Sequence, residues 1–471
     1  QPAAAAHRAA HPTAHRAGDR AGDHPEPAMT PDTAAGPGRL PHAAVAAIDA
    51  HLAAFDAWSQ RRYPGGSQAG QPLHTVYIPA DRATPGCCAQ WGHDALDALD
   101  AHGSTPQLLA AASGLPEQEV ADAWPLLRAA LSERPIHDLR VDLEDGYGPH
   151  SDAEEDADTD RAAATLLAES AAPNGPRRCG IRHRSLEQST RHRAVRTLDR
   201  LLGRLTSGGG ELPRGFVVTL PKVVDLRQVE AYVELLGALE RAHGIAQGAV
   251  RFEIQVETPQ TILAADGRLV LAPMLEAADG RCTGLHFGTY DYTAALGVPA
   301  AEQHARHGVA RFAKEVMRLA AAGTGVEVSD GSINRLPVGD RDAVHAGWRA
   351  HAELVSAALA DGIPQGWDLH PAQLVTRHLA VICAARRGLA DNLQRLAAYL
   401  AAAAPPAGDD RGGHNAPAAP SATLDEPATA QTLAAGAVRA AAIGAATQQE
   451  LEAATGVSLA ALIDLAGRRV A

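Results

Sequence analysis

From residue 74 onward, short apolar runs recur along the chain, and most of them end in a charged or polar residue. The run 139–143 leads into Glu144-Asp145-Gly146, 179–181 into Arg182, 217–220 into Pro221-Lys222, and 250–256 into Glu257-Thr258. Residues 284–287 lead into Gly288-Thr289-Tyr290-Asp291, and 367–369 into His370-Pro371. This pattern predicts strands at about 74–79, 138–143, 179–183, 216–221, 250–256, 284–288, 324–329 and 366–370.

The intervening segments follow helical spacing. Asp225 and Gln228 form a capping-box signature ahead of Leu226, Val229, Val233, Leu236 and Leu239 on one face, and Gly244 stops the helix. Pro371 suits a first helical turn, and Leu374, Val375, Leu379, Ile382 and Cys383 make an apolar stripe that ends at Gly388. Eight strands alternating with helices predict an α/β fold, a (β/α)8 TIM barrel. Helices at 105–112 and 117–131 read as an insertion after strand 1. A doubly wound open sheet is the alternative, but no G-x-G-x-x-G turn or P-loop supports it.

This organises the chain into an Ala/His/Pro-rich tail (1–45), a barrel (46–388), a helix end with an Ala/Pro/Gly linker (389–430) and a C-terminal helical extension (431–471). That extension should hold two short helices around a break at Gly456, packed on the barrel or on a neighbouring subunit. The tail is expected to be disordered, its His7, His11, His15 and His24 solvated, with Met29 as a candidate natural start.

Composition narrows the partners. A net charge of −13 without a basic stripe argues against nucleic acid. No apolar stretch is long enough to span a bilayer. The odd, scattered cysteines Cys87, Cys88, Cys179, Cys282 and Cys383 fit a reduced, cytoplasmic protein. The vicinal Cys87-Cys88 reads as loop, and Gly323-Thr324-Gly325 as a turn.

In a parallel barrel, the residues at strand C-termini share one mouth. Glu257 and Asp291 would both reach it, and a pair of carboxylates with open coordination positions is how proteins commonly hold Mg²⁺. A 2-oxo acid could chelate that ion. Arg182 could grip a substrate carboxylate, and Arg184, two residues on, is not separated from it by spacing alone. Asp142 and Glu144 fall on one face by alternation, so they need a cation, an arginine or a proton between them. The acidic run 152–160 reads as a solvated helix start. Lys222 could reach the mouth, and His370 with Gln373 could meet substrate or hold a loop.

Val141-Asp-Leu-Glu-Asp145, Ile181-Arg182, Leu220-Pro-Lys222, Val256-Glu-Thr258, Phe287-Gly-x-x-Asp291 and Leu369-His-Pro-x-Gln373 together resemble the HpcH/HpaI aldolase and citrate lyase β-subunit family, within the phosphoenolpyruvate/pyruvate-binding barrels. The resemblance spans about residues 74–388. It implies a Mg²⁺-dependent carbon–carbon lyase, with Mn²⁺ as a substitute ion, that cleaves its substrate through a metal-bound 2-oxo acid enolate. A phosphoenolpyruvate- or pyruvate-utilising transferase and a non-catalytic metabolite-binding barrel are the alternatives.

By this resemblance Glu257 and Asp291 hold the metal, while Arg182, Glu144 and Asp145 are catalytic. The residues expected to meet the substrate are Arg182, Arg184, Lys222, Gly288 and His370. The general base stays open among a metal-bound water, Asp330 and a residue of another subunit. The partner is a small 2-oxo acid or acyl compound, and a homo-oligomer is expected. Gly146-Tyr147-Gly148 departs from the family pattern and could reshape the mouth, which leaves a coenzyme A thioester substrate open.

Overall fold

The computed structural model describes residues 40–65, 70–207, 209, 211–403 and 426–467. The expectations for the tail, Met29 and most of the linker lie outside the described residues. The chain divides into two compact units, Gln1–Ala57 and Trp58–Ala471. Helix α1 (His42–Arg62), not foreseen in the sequence, runs across that boundary.

The second unit holds eight parallel strands: β1 (Thr75–Pro79), β2 (Asp138–Asp142), β3 (Arg178–Arg182), β4 (Phe216–Leu220), β5 (Arg251–Val256), β6 (Cys282–Phe287), β7 (Glu327–Ser329) and β8 (Trp367–Asp368). Strands β1 to β6 each pair with the next in sequence, β8 pairs with β1, and an isolated parallel bridge from Ser329 to Gln365 brings the open edges together. The TIM barrel expected from the strand pattern is the observed fold. Strand β7 is shorter than predicted, because residues 322–325 form a turn with Gly323 and Gly325 in the left-handed region.

After β1 come α2 (Cys87–His102), α3 (Pro106–Ser113) and α4 (Glu117–Glu133). The last two are the foreseen insertion. Helix α2 corrects the sequence reading: Cys87 and Cys88 open a helix and are buried rather than in a loop. The remaining crossovers are α5 (Asp152–Ala171), α6 (Arg191–Leu205), α7 (Leu226–His243), α8 (Leu271–Ala277), α9 (Thr289–Ala295), α10 (Gly308–Ala321), α11 (Arg341–Ala360) and α12 (Pro371–Arg386). The capping box of α7 forms as predicted, with Gln228 accepting from the Asp225 amide.

Strand alternation sorts the barrel into two environments. Leu139, Val141, Ile181, Val218, Leu220, Ile254, Leu285 and Phe287 are buried in the apolar core. The other phase fills the lumen with charge. Arg140 on β2 donates across the barrel to Thr219 on β4 and Glu253 on β5, and it pairs with Asp138 beside it. Arg178 on β3 meets Glu327 on β7. Bulky branched side chains ordinarily fill such a lumen, so this one departs from the usual pattern.

Past α12 lie α13 (Leu389–Ala403), α14 (Pro427–Ala442), α15 (Gln448–Thr455) and α16 (Leu459–Gly467). Arg439 of α14 donates to the carbonyls of Gln71 and Pro364, and Arg177 donates to the Ala442 carbonyl. Gln71, Pro364 and Arg177 precede β1, β8 and β3, so this extension docks on the N-terminal end of the barrel, opposite the mouth. Among the described residues, no helix is long and apolar enough to cross a membrane.

Candidate active site

The strand C-termini converge on a cavity of about 390 Å³ lined by Tyr77, Asp142, Asp145, Arg182, Gln255, Asp291 and Trp367, among others. Arg182 is almost fully buried. Its Nε and Nη2 donate to the two oxygens of Asp142, each at 2.7 Å. Nη1 faces Gln255 Oε1 at 3.3 Å and Glu144 Oε2 at 3.5 Å. The guanidinium lies 4.8 Å from the Tyr77 ring centroid and 5.9 Å from that of Trp367. One edge of its fork is therefore spent on Asp142, and Nη1 is the part that faces the open site.

Beside it is a second cation. The Lys222 ammonium lies 2.9 Å from Asp145 Oδ2, 3.0 Å from Asp291 Oδ2, 3.2 Å from Glu257 Oε2 and 3.4 Å from Glu144 Oε1. Its backbone amide also donates to Glu257 Oε1 at 2.7 Å. Lys222 has φ 52°, a left-handed conformation that side-chain-bearing residues seldom adopt.

Asp145, Glu257 and Asp291 bring ligand oxygens within 4.8 Å of one another. Glu257 is buried and is also held by Gln255 Nε2. Gly288 opens α9 directly against it, and a Cβ there would fall 2.4 Å from the Glu257 Cβ. The glycine therefore lets the first turn of α9, which carries Asp291, approach Glu257.

Five carboxyl groups (Asp142, Glu144, Asp145, Glu257 and Asp291) thus answer to two cations. Burial pushes Glu144 up to about 8 and Glu257 up to about 7, although Arg182 and Lys222 pull the other way. Asp145 is more open. Burial would raise it too, but the hydrogen bond and charge of Lys222 hold it below the usual carboxylate range. Hard oxygen donors in anionic excess suit Mg²⁺ or Mn²⁺.

Several sequence expectations change here. Arg184 does not line the cavity; its Nε pairs with Glu155 Oε2 at 2.7 Å and its Nη2 donates to the Gly148 carbonyl. The acidic run starts a helix as expected, with Asp152 and Glu154 exposed, but its later acids are not solvated. Glu155, Asp156 and Asp160 on α5 pair with Arg193, Arg196, Arg200 and Arg204 on α6. His370 caps α12, accepting from the Ala372 amide in a capping box with Gln373. Tyr147 turns toward α5, donating to Asp158 and stacking on His150. Asp330, one candidate base, is buried against Lys314 at 2.9 Å.

Sequence reading passed over Tyr77, Gln255, Thr289 and Trp367. The Tyr77 hydroxyl, Thr289 Oγ1 and Trp367 Nε1 are buried without a hydrogen-bond partner, and all three residues line the cavity. Period-two alternation from Glu257 back to Gln255 and Glu253 was the available signal for one of them.

The family model described as Domain of unknown function (DUF6986) matches residues 52–470. An L-malyl-CoA/beta-methylmalyl-CoA lyase from Haloarcula marismortui is 28% identical over 171 residues, 36% of this chain and 46% of that protein. The match thus spans about half of that relative's length. A citrate lyase from Burkholderia xenovorans LB400 shares the fold, with a TM-score of 0.50, 18% identity, and coverage of 82% of this chain and 96% of that one. An HpcH/HpaI aldolase/citrate lyase family protein from Burkholderia cenocepacia J2315 matches with a TM-score of 0.37 and 14% identity, over 71% of this chain and 98% of that one. The likeness to the citrate lyase agrees with the barrel expected from the strand pattern.

Proposed function

The chain belongs to the DUF6986 family, and we propose that it is a metal-dependent carbon–carbon lyase acting on a small 2-oxo acid or an acyl adduct of one. The observation that carries this reading is the anionic excess at the barrel mouth, with three carboxylates gathered around one point beside a buried arginine. Asp145, Glu257 and Asp291 would hold Mg²⁺ or Mn²⁺, which supplies Lewis-acid stabilisation to a substrate oxygen.

The chain's own residues do the rest. Asp142 fixes Arg182 so that Nη1 presents a preorganised donor to a substrate carboxylate or developing oxyanion. Tyr77 and Trp367 give that guanidinium an aromatic floor and wall. Burial pushes the Glu144 carboxyl up to about 8, so it is suited to hold a proton beside Arg182. The likeness to a malyl-CoA lyase supports an acyl-CoA adduct as one substrate to try.

The test is turnover of a panel followed by proton NMR: 2-hydroxy-2-methyl and 4-hydroxy-2-oxo acids, hydroxyacyl-CoA thioesters and phosphoenolpyruvate, each with Mg²⁺ and with EDTA. Cleavage of a carbon–carbon bond that requires the ion is the expected result. Turnover of phosphoenolpyruvate alone, or cleavage undiminished by EDTA, would overturn the reading.

A further inference from the structure

We propose that Lys222 is a resident cation, occupying the carboxylate site until a divalent ion displaces it. The proposal rests on reading Asp145, Glu257 and Asp291 as that ion's ligands. Nζ lies within 3.4 Å of all three and of Glu144, so ammonium and metal compete for the same oxygens. Magnesium needs those oxygens at about 2.0–2.1 Å, and a second positive charge held among them would repel it strongly in a partly buried site.

Lys222 is built to stay nearby. Its amide donates to Glu257, and its left-handed backbone turns the residue back over the strand end. The backbone is thus anchored at the site, and displacement of the ammonium would call for rotation of the side chain without refolding the loop. Arg182 cannot take this part, because Asp142 holds its fork. In the metal-free protein, Lys222 then keeps four carboxyl groups together that would otherwise repel one another. It also sets the ion's affinity lower than the carboxylates alone would give.

Calorimetric titration of the full chain with MgCl₂ tests this, together with thermal melts in EDTA. Lys222→Met should bind Mg²⁺ at least ~10-fold tighter than the native chain, since a full charge is removed from the ligand shell. In EDTA it should melt at lower temperature than the native chain, and Mg²⁺ should abolish that difference. Lys222→Arg keeps the charge and should leave the affinity close to native. A Lys222→Met protein folded only with Mg²⁺ supports the proposal. If that variant folds in neither condition, Lys222→Gln, which keeps a hydrogen bond but not the charge, undergoes the same comparison. Affinity equal to or weaker than native in the charge-free variant, with binding lost in Glu257→Gln, overturns the lysine's role alone. Native Mg²⁺ binding in Glu257→Gln overturns the metal reading and this proposal with it.

Discussion

Arg140 and Lys222 are both cations ringed by carboxylates inside one barrel, yet the two rings differ in how fully they are answered. In the lumen, Arg140 gives its donors to Asp138, Glu253 and Thr219, and His286 adds a contact to Glu253 at 3.1 Å. Burial alone would raise Glu253, but Arg140 and His286 reverse it and hold the carboxyl at about 2. At the mouth the same burial wins, and Glu144 and Glu257 rise to about 8 and about 7. A buried carboxyl held low by several hydrogen bonds from one fixed arginine is structural, and carboxyls that burial pushes up despite their neighbouring cations are poised for a cation or a proton. The comparison separates framework from chemistry more sharply than burial does, since both clusters are buried.

Removing the cation from the lumen cluster should have the largest effect. Arg140→Met strands Asp138 and Glu253 in the lumen and should cost about 3–5 kcal/mol in urea unfolding. A loss below about 1 kcal/mol would break the comparison, since it would mean the lumen charges do not depend on Arg140. At the mouth, Arg182→Lys cannot reproduce the fork held by Asp142, and transition-state stabilisation should fall by about 3–4 kcal/mol in kcat/KM on whichever acid is turned over. Arg184→Lys, whose guanidinium pairs with Glu155 and does not line the cavity, should change kcat/KM far less in the same assay. Equal losses would restore Arg184 to the substrate site.

The pH dependence sharpens the contrast. Glu144 and Glu257 titrate higher in the folded chain than the ordinary carboxyl near 4.5, so the folded state holds their protons more tightly. Their contribution to stability is full below that ordinary value and is lost as pH rises through about 7 to 8. Melting in EDTA should therefore fall between pH 5 and pH 8.5, with a slope of up to about 1.4 kcal/mol per pH unit for each proton. Glu257→Gln should flatten that slope; an unchanged slope would show that Glu257 does not carry it. The smallest effect belongs to His370→Ala, which removes a helix cap worth about 1 kcal/mol, while His370→Asn should retain it. A fall in kcat/KM without a fall in stability would instead return His370 to substrate binding.

Much of the fold was legible because it rests on local patterns. Strand runs, the Asp225 capping box, the helix stops at Gly244 and Gly388 and the strand-end acids are written in short windows of sequence. The mouth was legible in part for the same reason: a strand end in a parallel barrel always faces it. Partnerships were not. Arg182 and Arg184 are two residues apart and chemically identical, and only the packing of α5 gives Glu155 to one and Asp142 to the other. Cys87-Cys88 looked like loop because Pro85-Gly86 precedes it, yet packing of α2 against the barrel buries both thiols.

By itself, then, the sequence determined the barrel, its insertion and the residue types delivered to its mouth, since period-two and helical repeats act within a few residues of chain. Tertiary structure alone decided that Lys222 stands among the mouth carboxylates, that Arg140 holds Glu253 low in the lumen while burial raises Glu144 and Glu257 at the mouth, and that the C-terminal helices cover the opposite end. Each of these depends on a charge or a face finding a partner tens to hundreds of residues away, and the energy of such a contact is set by distance and burial, which no local pattern records.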